Sequence, residues 1–315
     1  MPVSVLLQGA RIRTLPASLS PVIIGVCCAW ETLHTTHHLQ VNYPLFWIET
    51  VLCLGIAFFL QIAANFANDY SDGKKGTDAH RVQDENQTGL PQRLTASGLL
   101  SDRAMIAIIM IMAACACFCG TAAIYYARAW WFFLLGLLCL LAGWFYTGGK
   151  HPYGYHGWGE VAVFLFFGIV AVYGTYFLVL RSSTIPGRSL YSPLAVGASC
   201  ISGFYAVIVL MVNNLRDINT DSHHKKRTLE VHLGWHHSLQ LFISVECIAW
   251  CLTVYCAYSL SHLTGILLAC CLLPFLWRIL NNLKHHSFRS SLATASITII
   301  LLTALFILWT LLPLR

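Results

Sequence analysis

Asn65, Asn68, Asp69 and Asp72 stand at spacings of three and four, so a helix carried through them presents all four on one face. They close a long apolar run, and Lys74, Lys75, Asp78 and Arg81 follow at once. Near residue 217 the pattern recurs as Asn213-Asn214-Leu215-Arg216-Asp217-Ile218-Asn219-Thr220-Asp221, with Lys225, Lys226 and Arg227 behind it. Residues 213, 217 and 221 again share a face. Such oxygen donors suit Mg²⁺, a hard cation that takes a few carboxylates and fills its shell with phosphate oxygens. The basic side chains suit the phosphates themselves. Two walls of this kind can hold two magnesium ions, with Asp69, Asp72, Asp217 and Asp221 as ligands and a diphosphate as the bridge. Asn65, Asn68, Lys74, Lys75, Asp78, Arg81, Asn213, Asn214, Arg216, Lys225, Lys226 and Arg227 are the candidates for surrounding that diphosphate. The clamp stabilises negative charge developing on a departing diphosphate. Either motif alone also fits a charged cap between membrane helices, and it is the repetition that favours a site. No Gly-x-x-x-x-Gly-Lys-Ser/Thr segment is present, which disfavours an ATPase.

The elements that position these residues are membrane helices. Of the 315 residues 57% are hydrophobic and 10% charged, and mean hydropathy is +0.66, which is no soluble composition. Apolar runs long enough to cross about 30 Å of hydrocarbon fall near 17–34, 44–67, 102–126, 129–147, 160–180, 191–214, 238–260, 262–283 and 292–313. The expectation is an all-α integral membrane protein of nine spans, one domain over 1–315, with caps at about 68–100 and 215–237. The segment before the first span has no cleavage site of the signal-peptide kind. The thirteen cysteines lie mostly inside apolar runs without a Cys-x-x-Cys pair, and read as small core residues. With the N-terminus inside, fifteen of the nineteen Lys and Arg fall on one side and four on the other. That is the bias of an inner-membrane protein with a cytoplasmic N-terminus, and it explains the net charge of +6 without nucleic acid. Both acidic motifs land on the cytoplasmic side, as one shared site requires.

A third stretch, Tyr146 to Glu160, is rich in glycine and aromatics. It fits an interfacial aromatic belt and equally the wall of an aromatic-substrate pocket. His34, His37 and His38 read as a solvated loop, since no carboxylate or cysteine accompanies them. Glu246 falls mid-span, where a charge is expensive. A diphosphate site at the membrane surface, above apolar and aromatic helices, suggests a lipid diphosphate whose tail lies in the bilayer. A transporter would instead place its charges at mid-bilayer within inverted repeats, whereas here the acids gather at one surface.

Arg13-Thr14-Leu15-Pro16, Asn68-Asp69-Tyr70 through Lys75-Gly76-Thr77-Asp78, Pro152-Tyr153-Gly154-Tyr155 with Gly159-Glu160, Phe166-Phe167-Gly168, and Asn213 through Asp221 with Arg227-Thr228-Leu229 together resemble the UbiA superfamily of intramembrane prenyltransferases. Leu90-Pro91-Gln92-Arg93 departs from the family's Gly-Pro-x-Arg. The resemblance implies nine helices around a central cavity, cytoplasmic caps over its mouth and a lateral opening for a prenyl tail. It implies Mg²⁺ as cofactor, with a polyprenyl diphosphate, an aromatic acceptor and the lipid bilayer as partners; no obligatory protein partner is inferred. The wording of Pro152–Glu160 and Asn213–Asp221 favours 1,4-dihydroxy-2-naphthoate over 4-hydroxybenzoate and other acceptors. Tyr153, Tyr155 and Glu160 are then the candidates for orienting the acceptor.

Overall fold

The computed structural model describes residues 3–35, 40–75, 94–95, 99–149, 151–184, 191–223 and 226–311, without the side chains at 3, 4, 13, 72, 75 and 311. Helices α1 (Val3–Ala10), α2 (Leu15–Thr35), α3 (Tyr43–Lys75), α4 (Asp102–Ala127), α5 (Phe132–Thr147), α6 (Gly159–Ser183), α7 (Pro193–His223), α8 (Leu229–Cys270), α9 (Leu273–Lys284) and α10 (Phe288–Leu311) account for nearly all of it, and no strand occurs among the described residues. Single 3₁₀ turns at Ile12–Thr14 and Tyr153–Tyr155 lead into α2 and α6.

Seven helical stretches are long and apolar enough to cross a membrane, and α5 is a shorter apolar helix. One of the seven, Leu229–Lys284, has 56 residues, about 84 Å of helix against about 30 Å of hydrocarbon. Its backbone breaks at Ser261 and at His262, which takes φ 50°, so it makes two crossings. Nine crossings result among the described residues, as the apolar pattern predicts. A third irregularity, Gly234 at φ 72°, sets Leu229–Leu233 apart as a short cap helix.

Three expectations change. The cap expected from about 68 begins as helix, since α3 runs past 67 to Lys75, and α7 likewise runs past 214 to His223. Both acidic motifs therefore ride on helix, as their three- and four-residue spacing requires. The supposed cap 215–237 is accordingly helical up to 223 and again from 229. The eighth span is also not one helix. It stops at Cys270 and restarts at Leu273, with Pro274 near the new N-terminus, where its missing N–H costs nothing.

In lipid, burying apolar surface drives little helix association, so close approach and polar satisfaction carry more of it. A β-carbon added to Gly168 would lie 2.6 Å from Ser199 O and 2.8 Å from Gly203 Cα. Helices α6 and α7 cross there backbone against backbone. The same part of α6, Phe164–Tyr173, is π-helical. Buried hydroxyls bond their own helix's carbonyls, as Thr50 does to Phe46 O and Thr253 to Ala249 O at 2.8 and 2.7 Å. Glu246 is buried in α8, mid-span as expected. The main core joins α2, α6, α7, α8, α9 and α10. A separate small core of Phe66, Leu94, Leu100 and Met105, with Leu6 and Ala10 of α1 against it, sits under the polar end of α3.

Candidate active site

The last turns of α3 carry the first motif. Asp69 is 2% exposed. Its Oδ2 accepts the Leu94 N–H at 3.1 Å and its Oδ1 the Thr95 N–H at 3.4 Å. This carboxylate ties α3 to residues 94 and 95. Asn65 and Asn68 share its helix, yet each serves a different neighbour. The Asn65 amide donates to Ala10 O at 2.8 Å and to Thr14 Oγ1 at 2.9 Å, tying α3 to the α1–α2 junction. Asn68 Oδ1 accepts the Thr147 hydroxyl at 3.0 Å, and Ser71 Oγ donates to Thr147 O at 2.8 Å. Lys74 pairs with Asp102 in the first turn of α4 and stands 5.9 Å from the Tyr70 ring centroid. The Asp102 hydrogen bond raises its pKa above the ordinary lysine value. Asp78, Arg81, Arg93 and Lys225 lie outside the described residues, as do the side chains of Asp72 and Lys75.

The second motif ends α7. Arg216 grips its neighbour Asp217 with Nε on Oδ1 and Nη2 on Oδ2, both at 2.8 Å. Asp221 is buried and pairs with Lys226 Nζ at 2.9 Å. Lys226 also stands 5.6 Å from the Tyr155 ring centroid, within the range of a cation–π contact. Asn213 turns back to Val209 O of its own helix, and Asn214 donates to Glu160 Oε1 at 2.8 Å. The Arg227 N–H reaches Tyr155 O at 2.9 Å, and the Arg227 side chain is exposed.

The glycine-rich connection between α5 and α6 joins the two. Thr147 at its start holds Asn68 and Ser71 of the first motif; Tyr155 and Glu160 at its end hold Arg227 and Asn214 of the second. Both motifs are thereby fixed at one end of the bundle. Tyr153 donates its hydroxyl to Ala142 O at 2.8 Å, and burial pushes its pKa up to about 12. It is a neutral phenol whose face, not its charge, is on offer.

Glu230 was not singled out by any motif, since a lone glutamate on a short cap helix has no sequence signature. It is fully buried beside Glu160 and Asn214. Burial first, and then the Glu160 charge, push its carboxyl up to about 8.

Among the described residues no three Asp, Glu, His or Cys side chains converge on one point. Asp69 lies in the last turns of α3, and Asp217 with Asp221 in those of α7. This donor set fits Mg²⁺, whose usual shell is one or two carboxylates plus phosphate oxygens and water, not an all-protein cage.

The family described as the UbiA prenyltransferase family matches residues 18–300. The chain is 39% identical over 250 residues to the 1,4-dihydroxy-2-naphthoate octaprenyltransferase of Mycobacterium leprae, covering 79% of this chain and 76% of that one. Against the enzyme of the same name from Escherichia coli it is 33% identical over 269 residues, 82% and 78% of the two chains. Among solved structures, the apo UbiA homolog of Aeropyrum pernix K1 superposes with a TM-score of 0.69 at 15% identity, over 93% of this chain and 97% of that one. A UbiA homolog from Archaeoglobus fulgidus bound to DMAPP and Mg²⁺ gives 0.58 at 15% identity, over 96% and 98%. With the sequence match spanning all but the ends and the fold shared nearly end to end, the chain belongs to the UbiA prenyltransferase family.

Proposed function

We propose that the protein transfers a polyprenyl chain from its diphosphate to 1,4-dihydroxy-2-naphthoate, releasing diphosphate and carbon dioxide and giving demethylmenaquinol. The observation that carries this is the α5–α6 connection, an aromatic wall bonded at one end to the first acidic motif and at the other to the second. The names of the relatives support the acceptor. Asp69, Asp72, Asp217 and Asp221 are the residues that would hold Mg²⁺, and the ion, when bound, neutralises charge on the leaving diphosphate. Two ions bridged by the diphosphate, and a cytoplasmic face for the site, belong to the same reading.

The residues of the chain do the rest. Lys74, Lys75, Arg81, Arg216, Lys225, Lys226 and Arg227 supply positive charge around the diphosphate as its carbon–oxygen bond breaks and the electron pair leaves with oxygen. Asn65, Asn68, Asp78, Asn213 and Asn214 shape the same region, Asn65 and Asn214 by bracing its helices. The allylic cation left behind is shielded by ring faces such as Tyr153 and Tyr155. The electron-rich ring attacks through its carboxyl-bearing carbon, and the new carbon–carbon bond forms there. Carbon dioxide then leaves, returning its bonding pair to the ring, so no oxidant or reductant is needed. Tyr153, Tyr155 and Glu160 belong to the wall that orients the acceptor.

Carboxyl-labelled dihydroxynaphthoate with a prenyl diphosphate and Mg²⁺ tests the reading. One labelled carbon dioxide should leave per diphosphate released. A 4-hydroxybenzoate enzyme attacks an unsubstituted carbon and keeps its carboxylate. Label retained in the prenylated product, or turnover with 4-hydroxybenzoate alone, would overturn the acceptor and leave the prenyl-transfer site standing.

A further inference from the structure

Glu230 belongs to neither acidic motif, yet it is 0% exposed. Its carboxyl lies beside that of Glu160, 7% exposed, close enough for the Glu160 charge to act on it. Glu160 Oε1 takes the Asn214 amide at 2.8 Å. Glu160 Oε2 and both oxygens of Glu230 are buried and make no hydrogen bond of ordinary geometry among the described residues. Two ionised carboxylates in contact and out of water repel strongly, so one of the pair keeps a proton for the other to accept. Lys226, itself paired with Asp221, is the cation that acts on Glu160, and His232, on the same cap helix as Glu230, stands against Gly157.

The pair is where three pieces of chain meet. Glu160 opens α6, Asn214 lies one helical turn before Asp217 on α7, and Glu230 opens the short cap helix that follows Lys226 and Arg227. Both carboxyls are buried, and what they fix is the relative place of Asp217, Asp221 and Lys226. We propose that Glu160 and Glu230 form a proton-sharing pair which, through Asn214, positions the second acidic motif and Lys226 for the diphosphate, with Glu230 as a positioning residue of the site. The diphosphate role rests on the function proposed above; the shared proton does not.

Two arms test it on the full-length protein in detergent micelles, with Glu230→Gln and Glu230→Ala. The first is ligand-free thermal unfolding against pH. The folded pair holds a proton that the unfolded chain has released, so wild-type stability falls as pH rises from roughly 4.5 to about 8. Gln donates to Glu160 at every pH, and Glu230→Gln should lose one proton's worth of that slope. The second arm is steady-state kinetics with geranyl diphosphate, dihydroxynaphthoate and Mg²⁺ at pH 7. Glu230→Ala should raise KM for the diphosphate about tenfold, and Glu230→Gln should stay within about threefold of wild type. A Gln variant with the wild-type pH slope would overturn the shared proton. An Ala variant with wild-type KM would overturn the positioning role, and if Ala fails to fold, a Gln KM raised about tenfold would do the same. Wild-type protein inactive on all three reagents would sink the functional reading alone, since the slope still judges the pair.

Discussion

Replacing Asp69 and Asp217 by alanine separates two roles that the sequence gives them in common. Both should cut turnover at least about a hundredfold, a barrier increase of about 2.7 kcal/mol, because each removes a carboxylate from its wall. Their effects on stability should differ. Asp69 is buried and accepts two backbone N–H groups, from Leu94 at 3.1 Å and Thr95 at 3.4 Å. A hydrogen bond to a charged group contributes about 1.5–3 kcal/mol. Taking the longer bond at the low end, losing both costs about 3 kcal/mol and leaves two donors without their acceptor. At about 2 °C per kcal/mol for a chain of this size, the unfolding midpoint should drop by roughly 6 °C. Asp217 instead pairs with its immediate neighbour Arg216, the two side chains 13% and 37% exposed, and a pair open to water on one side is worth about 1 kcal/mol. Its loss should shift the midpoint by about 2 °C or less. Tryptophan-monitored melting of the ligand-free variants makes the comparison without involving catalysis. Equal shifts for the two, or an Asp69→Ala midpoint within about 2 °C of wild type, would refute the assignment of Asp69 as the tie between α3 and residues 94–95.

Chelation with EDTA should abolish turnover and Mg²⁺ should restore it; activity that survives exhaustive chelation would remove the two-wall site. Cysteines introduced at Ser71 and Ser222, against a background in which the thirteen native thiols stay silent, should be labelled from the same side of the membrane. Labelling from opposite sides would break the shared site. Gly168→Ala places a methyl group 2.6 Å from Ser199 O, so α6 and α7 must part, at a cost of about 1–3 kcal/mol. Its melting midpoint should fall by several degrees, and an unchanged midpoint would show that the crossing can relax.

The span count was legible because nine apolar runs of membrane length leave little freedom, and because the break at Ser261 and His262 falls between the seventh and eighth runs. The helical spacing of the acids was legible too, and α3 and α7 do run on through it. The cap 215–237 misled because Asn219 to Ser222 has no apolar face to announce a helix, whereas a helix already nucleated in the membrane extends at little cost. Pro274 held a readable sign that α9 starts afresh, since a proline inside a continuous helix would break it. Asn65 sits on the acidic face by spacing, but its amide serves the α1–α2 junction, a partner that appears only once Val3–Ala10 is seen to fold as a helix. Glu230 was out of reach for a simpler reason: its partner lies seventy residues away and no local pattern links them.

The π-helical stretch of α6 makes chain length part of the site's geometry. An α-helical residue turns the chain by about 100°, and a π turn accommodates what would otherwise be a surplus residue. Deleting one residue between Phe164 and Tyr173 would let α6 regularise, but everything toward Gly159 would swing by about 100° against everything toward Ser183. Tyr176 could keep its contact with Thr32, at 3.4 Å, only if Glu160 lost Asn214. Relatives that align without gaps here can share the site; a one-residue indel in this segment would have to be matched by a compensating one before the active-site wall faced the same way.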